Sequence, residues 1–97
     1  PATNVVVRDG VQYVTINARG GYRPKTSAIK SDIPTKLIVK TNNTYDCSSS
    51  LVVRSVNYRG MLPASGETEI DLGTPKSGEK IAGTCSMGMY NISINVN

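Results

Sequence analysis

Residues 90–97, YNISINVN, close the chain on a strict alternation: Tyr90, Ile92, Ile94 and Val96 fall on one face and Asn91, Ser93, Asn95 and Asn97 on the other. A period of two over eight residues is the signature of a strand with one face in a core. Working back toward the start, NVVVRDGVQYVTINARGG sets Asp9-Gly10 between two β-rich runs. That dipeptide predicts a two-residue hairpin, because a type I′ turn needs positive φ, and so a strand pair near 4–8 and 11–18. Further β-rich runs lie at 26–29, 35–41, 51–56, 67–72 and 80–85, separated by the turn-forming clusters GGYRP, TNNTYDCSSS, LPASG and GTPKSG. No segment sustains a helical period, and no internal repeat or linker interrupts the chain. The 97 residues therefore read as one domain, 1–97, an all-β Greek-key sandwich or barrel of seven to eight strands.

Composition removes several function classes. Without a histidine there is no Ser-His-Asp or Cys-His centre and no imidazole metal site. Asp46, Glu67, Glu69, Asp71 and Glu79 form no obvious pair for acid–base hydrolysis, so the chain is not expected to be an enzyme. The net charge of +4 comes from scattered Lys and Arg and reads mainly as solubility. No basic stripe with interleaved aromatics points to nucleic acid. GTPKSGEK departs from a phosphate loop, having no lysine directly after its second glycine, and reads as a turn. The glycosylation patterns Asn42-Asn43-Thr44 and Asn91-Ile92-Ser93 carry no functional weight, the second falling within an expected strand. No run of eighteen apolar residues is present. A start at Pro1, with neither a basic start nor an apolar signal core, is expected of a mature fragment or excised domain, any membrane anchor lying outside it.

The sulfur residues concentrate what signal remains. Cys47 lies in YDCSSS, and Cys85, Met87 and Met89 in CSMGMY, while Met61 sits before a proline in an expected connection. Three readings of this pattern stand open. A disulfide between Cys47 and Cys85 would close a loop of nearly forty residues and stabilise by roughly 3–4 kcal/mol in the chain-entropy picture. The methionines would fill irregular core gaps, although a small, polar turn suits that poorly. Alternatively the four sulfurs form a soft-metal site, since thiolate and thioether without imidazole or clustered carboxylate select Cu(I). Zinc usually takes four Cys or His ligands, and the chain has two cysteines.

NNTYDCSSSLVV (42–53) followed by GTCSMGMYNISINV (83–96) resembles the cupredoxin family, in which one copper ligand lies between core strands and the others cluster before the last strand. GGYRPKTSAIKSDIPTKLIVKTNN (20–43) is similar to the family's stretch upstream of the first ligand, so the resemblance covers residues 20–97 with the N-terminal hairpin completing the sandwich. Electron-transferring members carry histidine where Cys47 stands and another near Met87; Cys85 and Met89 match the family's cysteine and methionine. Sulfur in place of both imidazoles makes blue-copper redox chemistry doubtful. The all-sulfur variant looks like the cupredoxin-type Cu(I)-binding domains of Gram-positive copper resistance: the soluble domain of a membrane-anchored copper chaperone, or the similar metal-binding domain of the copper-exporting P-type ATPase.

That resemblance implies one or two Cu(I) ions held by Cys47, Cys85, Met87 and Met89. Met89 would complete the tighter site, and Met87 a more exposed, exchangeable one. It further implies a monomer on the cytoplasmic face of the cell membrane that delivers copper to the exporter. The alternatives are the exporter's own domain and a disulfide-stapled extracellular binding sandwich.

Overall fold

The computed structural model describes residues 4–44, 49–85, 88 and 90–97. Among these described residues ten strands run in chain order: β1 (Val5–Arg8), β2 (Val11–Ala18), β3 (Tyr22–Arg23), β4 (Thr26–Ile29), β5 (Thr35–Thr41), β6 (Ser50–Val53), β7 (Tyr58–Met61), β8 (Gly66–Gly73), β9 (Lys80–Thr84) and β10 (Asn91–Val96). They form two sheets, the first ordered β1-β2-β5-β8 with β3 also on β2, the second β4-β10-β9-β6-β7. The hairpin turns where expected: Asp9 and Gly10 take φ of 53° and 78°, pairing Arg8 with Val11. The two sheets are mixed, because β2 runs parallel to β5 and β4 parallel to β10.

Alternation decides which side of each strand faces the partner sheet. The first sheet contributes Val14, Ile16, Leu37, Val39, Ile70 and Leu72 to the space between them. Ile29, Leu51, Val53, Ile81, Ile92, Ile94 and Val96 answer from the second, so the closing alternation lies as its pattern requires. Both inner faces are thus largely apolar, which is the sandwich solution to burying one side of a sheet.

Two expectations about strand bounds need correction. The run at 51–56 leaves the sheet after Val53: Arg54–Val56 form a single 3₁₀ turn, and Asn57 follows in the left-handed conformation at φ 55°. Asn tolerates that backbone better than most residues, and the reversal returns the chain along β6 as β7. Met61 therefore belongs to a strand, opposite Ser50, and not to a connection.

GTPKSGEK does form a turn. Gly73 and Gly78 take positive φ, and Glu79 Oε1 accepts the Lys76 N–H at 2.9 Å. At the start of β2, the fully buried Gln12 finds a partner for each end of its amide. Its Nε2 donates to Thr35 Oγ1 and Lys30 O, both at 3.1 Å, and its Oε1 accepts the Lys30 N–H at 3.0 Å. A buried amide is tolerated in a core when it is satisfied in this way.

Candidate metal centre

Antiparallel pairing of β6 with β9, with Val52 opposite Thr84 and Val53 opposite Gly83, carries the start of β6 past the end of β9 on the side where Cys85 follows. The segment that follows Cys47 and those on either side of Cys85 thus attach at one end of the second sheet, while the segment before Cys47 comes from β5 of the first. Gly83 permits this closeness: a Cβ there would meet Ile92 Cγ1 at 2.8 Å and Leu51 Cδ1 at 3.3 Å. The strands flanking β9 could not hold this spacing around a larger side chain.

Cys85 directly follows β9 and is buried against the apolar cluster. Its N–H donates to Tyr90 O at 3.1 Å, and its carbonyl accepts the Gly88 N–H at 2.9 Å, so backbone bonds clamp the loop at its base and across a tight turn. Gly88 takes φ 74°, a conformation at little cost to glycine alone. The Thr84 hydroxyl lies 3.1 Å from Tyr90 O and 3.2 Å from Cys85 O, adding a side-chain tie at the same base.

The other segment is anchored on both flanks. Thr44, itself buried, donates its N–H to Ala64 O at 2.9 Å and its hydroxyl to Ala18 O. On the far side, Ser49 O accepts the Leu62 N–H and Ser50 O accepts the Tyr22 hydroxyl. Cys47, Met87 and Met89 themselves lie outside the described residues. Of the four expected ligands the structure therefore describes Cys85, while for the others it describes the frame to which they attach.

Cys85 is disulfide-bonded. The sequence contains one other cysteine, Cys47. A sulfur in a disulfide has no thiolate to offer a metal, so ligation through Cys85 requires prior reduction. Among the described residues, no three His, Cys, Asp or Glu side chains converge to hold a metal ion. Met61 is strongly exposed, at 75%, on the edge strand β7.

Tyr22 is a residue that sequence reasoning missed. Read as part of a turn cluster, it is instead buried on β3 and joins both segments of the candidate centre. Its hydroxyl reaches Ser50 O, and its ring meets the Tyr90 ring edge-on, with centroids 6.3 Å apart at 80°. Gly21, at φ 124°, leaves room for that contact, since a Cβ there would lie 3.5 Å from Tyr90 Cδ1. The available signal was chemical: a tyrosine drawn into a core needs a partner for its hydroxyl, and loop carbonyls commonly supply one.

No family model and no curated protein matches the sequence. Solved structures do. The metal-binding domain of the Cu(I)-exporting P-type ATPase CopA from Streptococcus pneumoniae D39, solved with Cu(I), superposes with a TM-score of 0.84 at 20% identity, over 96% of this chain and 92% of that one. A copper-binding protein solved by NMR in its apo form gives a TM-score of 0.84 at 20% identity, over 96% and 94%. Reduced auracyanin from Roseiflexus castenholzii gives 0.63 at 11%, over 94% and 99%. The fold is cupredoxin-like. In this cupredoxin-like sandwich the loop of Cys85 joins β9 to the closing strand β10, the position at which the sequence resemblance expects a ligand loop.

Proposed function

We propose that the chain is a Cu(I)-binding domain that captures the ion on Cys47, Cys85, Met87 and Met89 and passes it to a copper-exporting P-type ATPase. The observation that carries this reading is the frame around Cys85. A buried cysteine directly follows β9, its loop is clamped by backbone bonds, and the flank of the Cys47 segment is fixed beside it through Tyr22. The fold shared with proteins described as binding copper supports it further. The donor set of two thiols and two thioethers suits Cu(I) and offers little to hard cations.

In this account Cys47 and Cys85 act as thiolates, Met89 completes a three-coordinate site, and Met87 holds a second, more exchangeable ion by sharing the thiolates. An exposed thioether releases copper readily to a partner's thiols, which suits a carrier. Thiolates persist in reducing compartments, so the reading goes with a domain on the cytoplasmic face of the cell membrane, its anchor elsewhere in the protein. The exporter's own metal-binding domain would use the same chemistry, and the direction of copper transfer between the purified partners distinguishes the two roles.

Competition against a strong Cu(I) chelator under anaerobic, reducing conditions tests the ligands. Cys47→Ser and Cys85→Ser are each expected to abolish tight binding, and Met87→Leu to weaken the second copper while sparing the first. Tight binding retained by both serine variants would overturn the assignment.

The disulfide at Cys85 favours a second reading, a stapled β-sandwich of an oxidising compartment that binds through its surface. Thiol counting on protein purified without reductant separates the two: two reactive thiols support the carrier, and none supports the stapled module.

A further inference from the structure

The outer face of the second sheet gathers three cations around two adjoining hollows. Register brings Ser93 beside Ala82, Asn91 beside Thr84, Thr84 beside Val52 and Val52 beside Arg59. Small side chains along β9 and β10 leave an open hollow of about 690 Å³, floored by Ala82, Gly83 and Ser93 and bounded by Arg54 and Lys80. A second hollow of about 370 Å³ shares Val52 and Arg54 with it and reaches Arg59. No carboxylate lines either hollow among the described residues, and Arg54, Arg59 and Lys80 form no ion pair there.

The acids among the described residues stand elsewhere. Glu67, Glu69 and Asp71 stand on β8, in the opposite sheet, where Lys36 pairs with Glu69 at 3.4 Å. Asp32 pairs with Lys76 at 3.2 Å, and Glu79 is engaged with the backbone of its own turn. Arg54, Arg59 and Lys80, three of the chain's eleven cations, thus share one concave face on which no carboxylate stands among the described residues.

That face abuts the candidate centre. Gly88, Asn91 and Thr84 line the hollow at the end where the Cys85 loop emerges, and Lys80 closes the other end, about 13 Å away along β9 at 3.3 Å per residue. We propose that this face is the docking surface for a protein whose copper-accepting site is surrounded by carboxylates, seated so that the Cys85 loop lies at the edge of the contact. The inference rests on the Cu(I)-carrier reading for its purpose and on charge and shape for its location. Cations around a hollow with no compensating acid attract and orient an acidic protein surface. Among the described residues no aromatic side chain lines the larger hollow, whereas insertion into a membrane interface favours Trp, Phe or Leu. Stacking on nucleic-acid bases would likewise need exposed rings.

The test uses apo, reduced, ¹⁵N-labelled protein and needs no copper, so it stands or falls separately from the metal reading. Titration with a decaglutamate peptide should shift the amides of Arg54, Ala82, Thr84 and Ser93 while leaving β2 and β5 unmoved. Arg54→Glu combined with Lys80→Glu should weaken that binding by about tenfold, and Lys36→Glu combined with Lys40→Glu by less than about twofold. If the charge-reversed pair does not fold, Arg54→Gln combined with Lys80→Gln should still weaken binding measurably. Shifts spread over both sheets, affinity unchanged in either Arg54/Lys80 pair, or a response of the same residues to phosphatidylglycerol vesicles but not to the peptide would overturn the proposal.

Discussion

Tyr22→Phe removes one hydroxyl and leaves the ring that meets Tyr90. The lost bond runs from a side chain 1% exposed to the carbonyl of Ser50, at the start of β6. Leaving a buried acceptor short of its partner costs about 1–2 kcal/mol. At roughly 4–8 °C per kcal/mol for a domain of this size, the thermal midpoint should fall by about 5–15 °C. The metal centre can lose no more than that bond contributes to holding the Cys47 segment, so Cu(I) affinity should weaken by at most about thirtyfold. Tyr22→Leu also deletes the edge contact with Tyr90 and should be less stable by a further increment of about 1 kcal/mol or more. Thermal unfolding by circular dichroism on reduced apo protein supplies the midpoint, and amide shifts of Ser50 and Leu51 report the local effect. A midpoint within about 1 °C of the parent, together with unmoved amides, would refute Tyr22 as the link between the two segments.

Gly83→Ala should destabilise by about 1–3 kcal/mol, because its Cβ would sit 2.8 Å from Ile92 Cγ1; adding Ile92→Val, which removes the Cδ1 atom 3.0 Å away, should recover part of the loss in chemical denaturation. Gln12→Leu strands the groups of Lys30 and Thr35 that the amide satisfies and should cost about 1–3 kcal/mol, yet leave Cu(I) affinity unchanged because Gln12 lies at the far end of β2 from Ala18 and Thr44. Breaking the disulfide of Cys85 should lower apo stability by roughly 3–4 kcal/mol if it closes the chain on Cys47, measured as the difference between denaturant curves with and without reductant. A shift in molecular size on reduction would show pairing between chains instead.

The strands that could be read from the sequence were those whose sidedness is written in alternation or in a turn dipeptide. YNISINVN and the Asp9-Gly10 hairpin are of that kind, since each carries its own local cause. β7 was missed because NYRGML has no clear alternation, and its strand depends on a turn at Arg54–Val56 that reverses it onto β6. β3, two residues long, is held by pairing with β2 and leaves almost no local trace. Nor do the parallel pairings of β2 with β5 and of β4 with β10 show in any single segment, because they join stretches far apart in sequence.

Around the candidate centre, residue chemistry alone drew attention to Cys85 and its loop. Tyr22 became visible through tertiary structure, since its role depends on Ser50 and Tyr90, residues 28 and 68 positions further along the chain. The grouping of Arg54, Arg59 and Lys80 on one face likewise follows from register, although the sequence scatters them among other charges.

Side-by-side anaerobic titration of the reduced and oxidised protein against a Cu(I) chelator tests the central claim most directly, because thiolate ligation and the Cys85 disulfide exclude each other at one sulfur. The reduced protein is expected to withdraw at least one copper per chain, roughly, from a chelator strong enough to leave the oxidised protein bare. Equal withdrawal by both forms, or none by the reduced form, would contradict it.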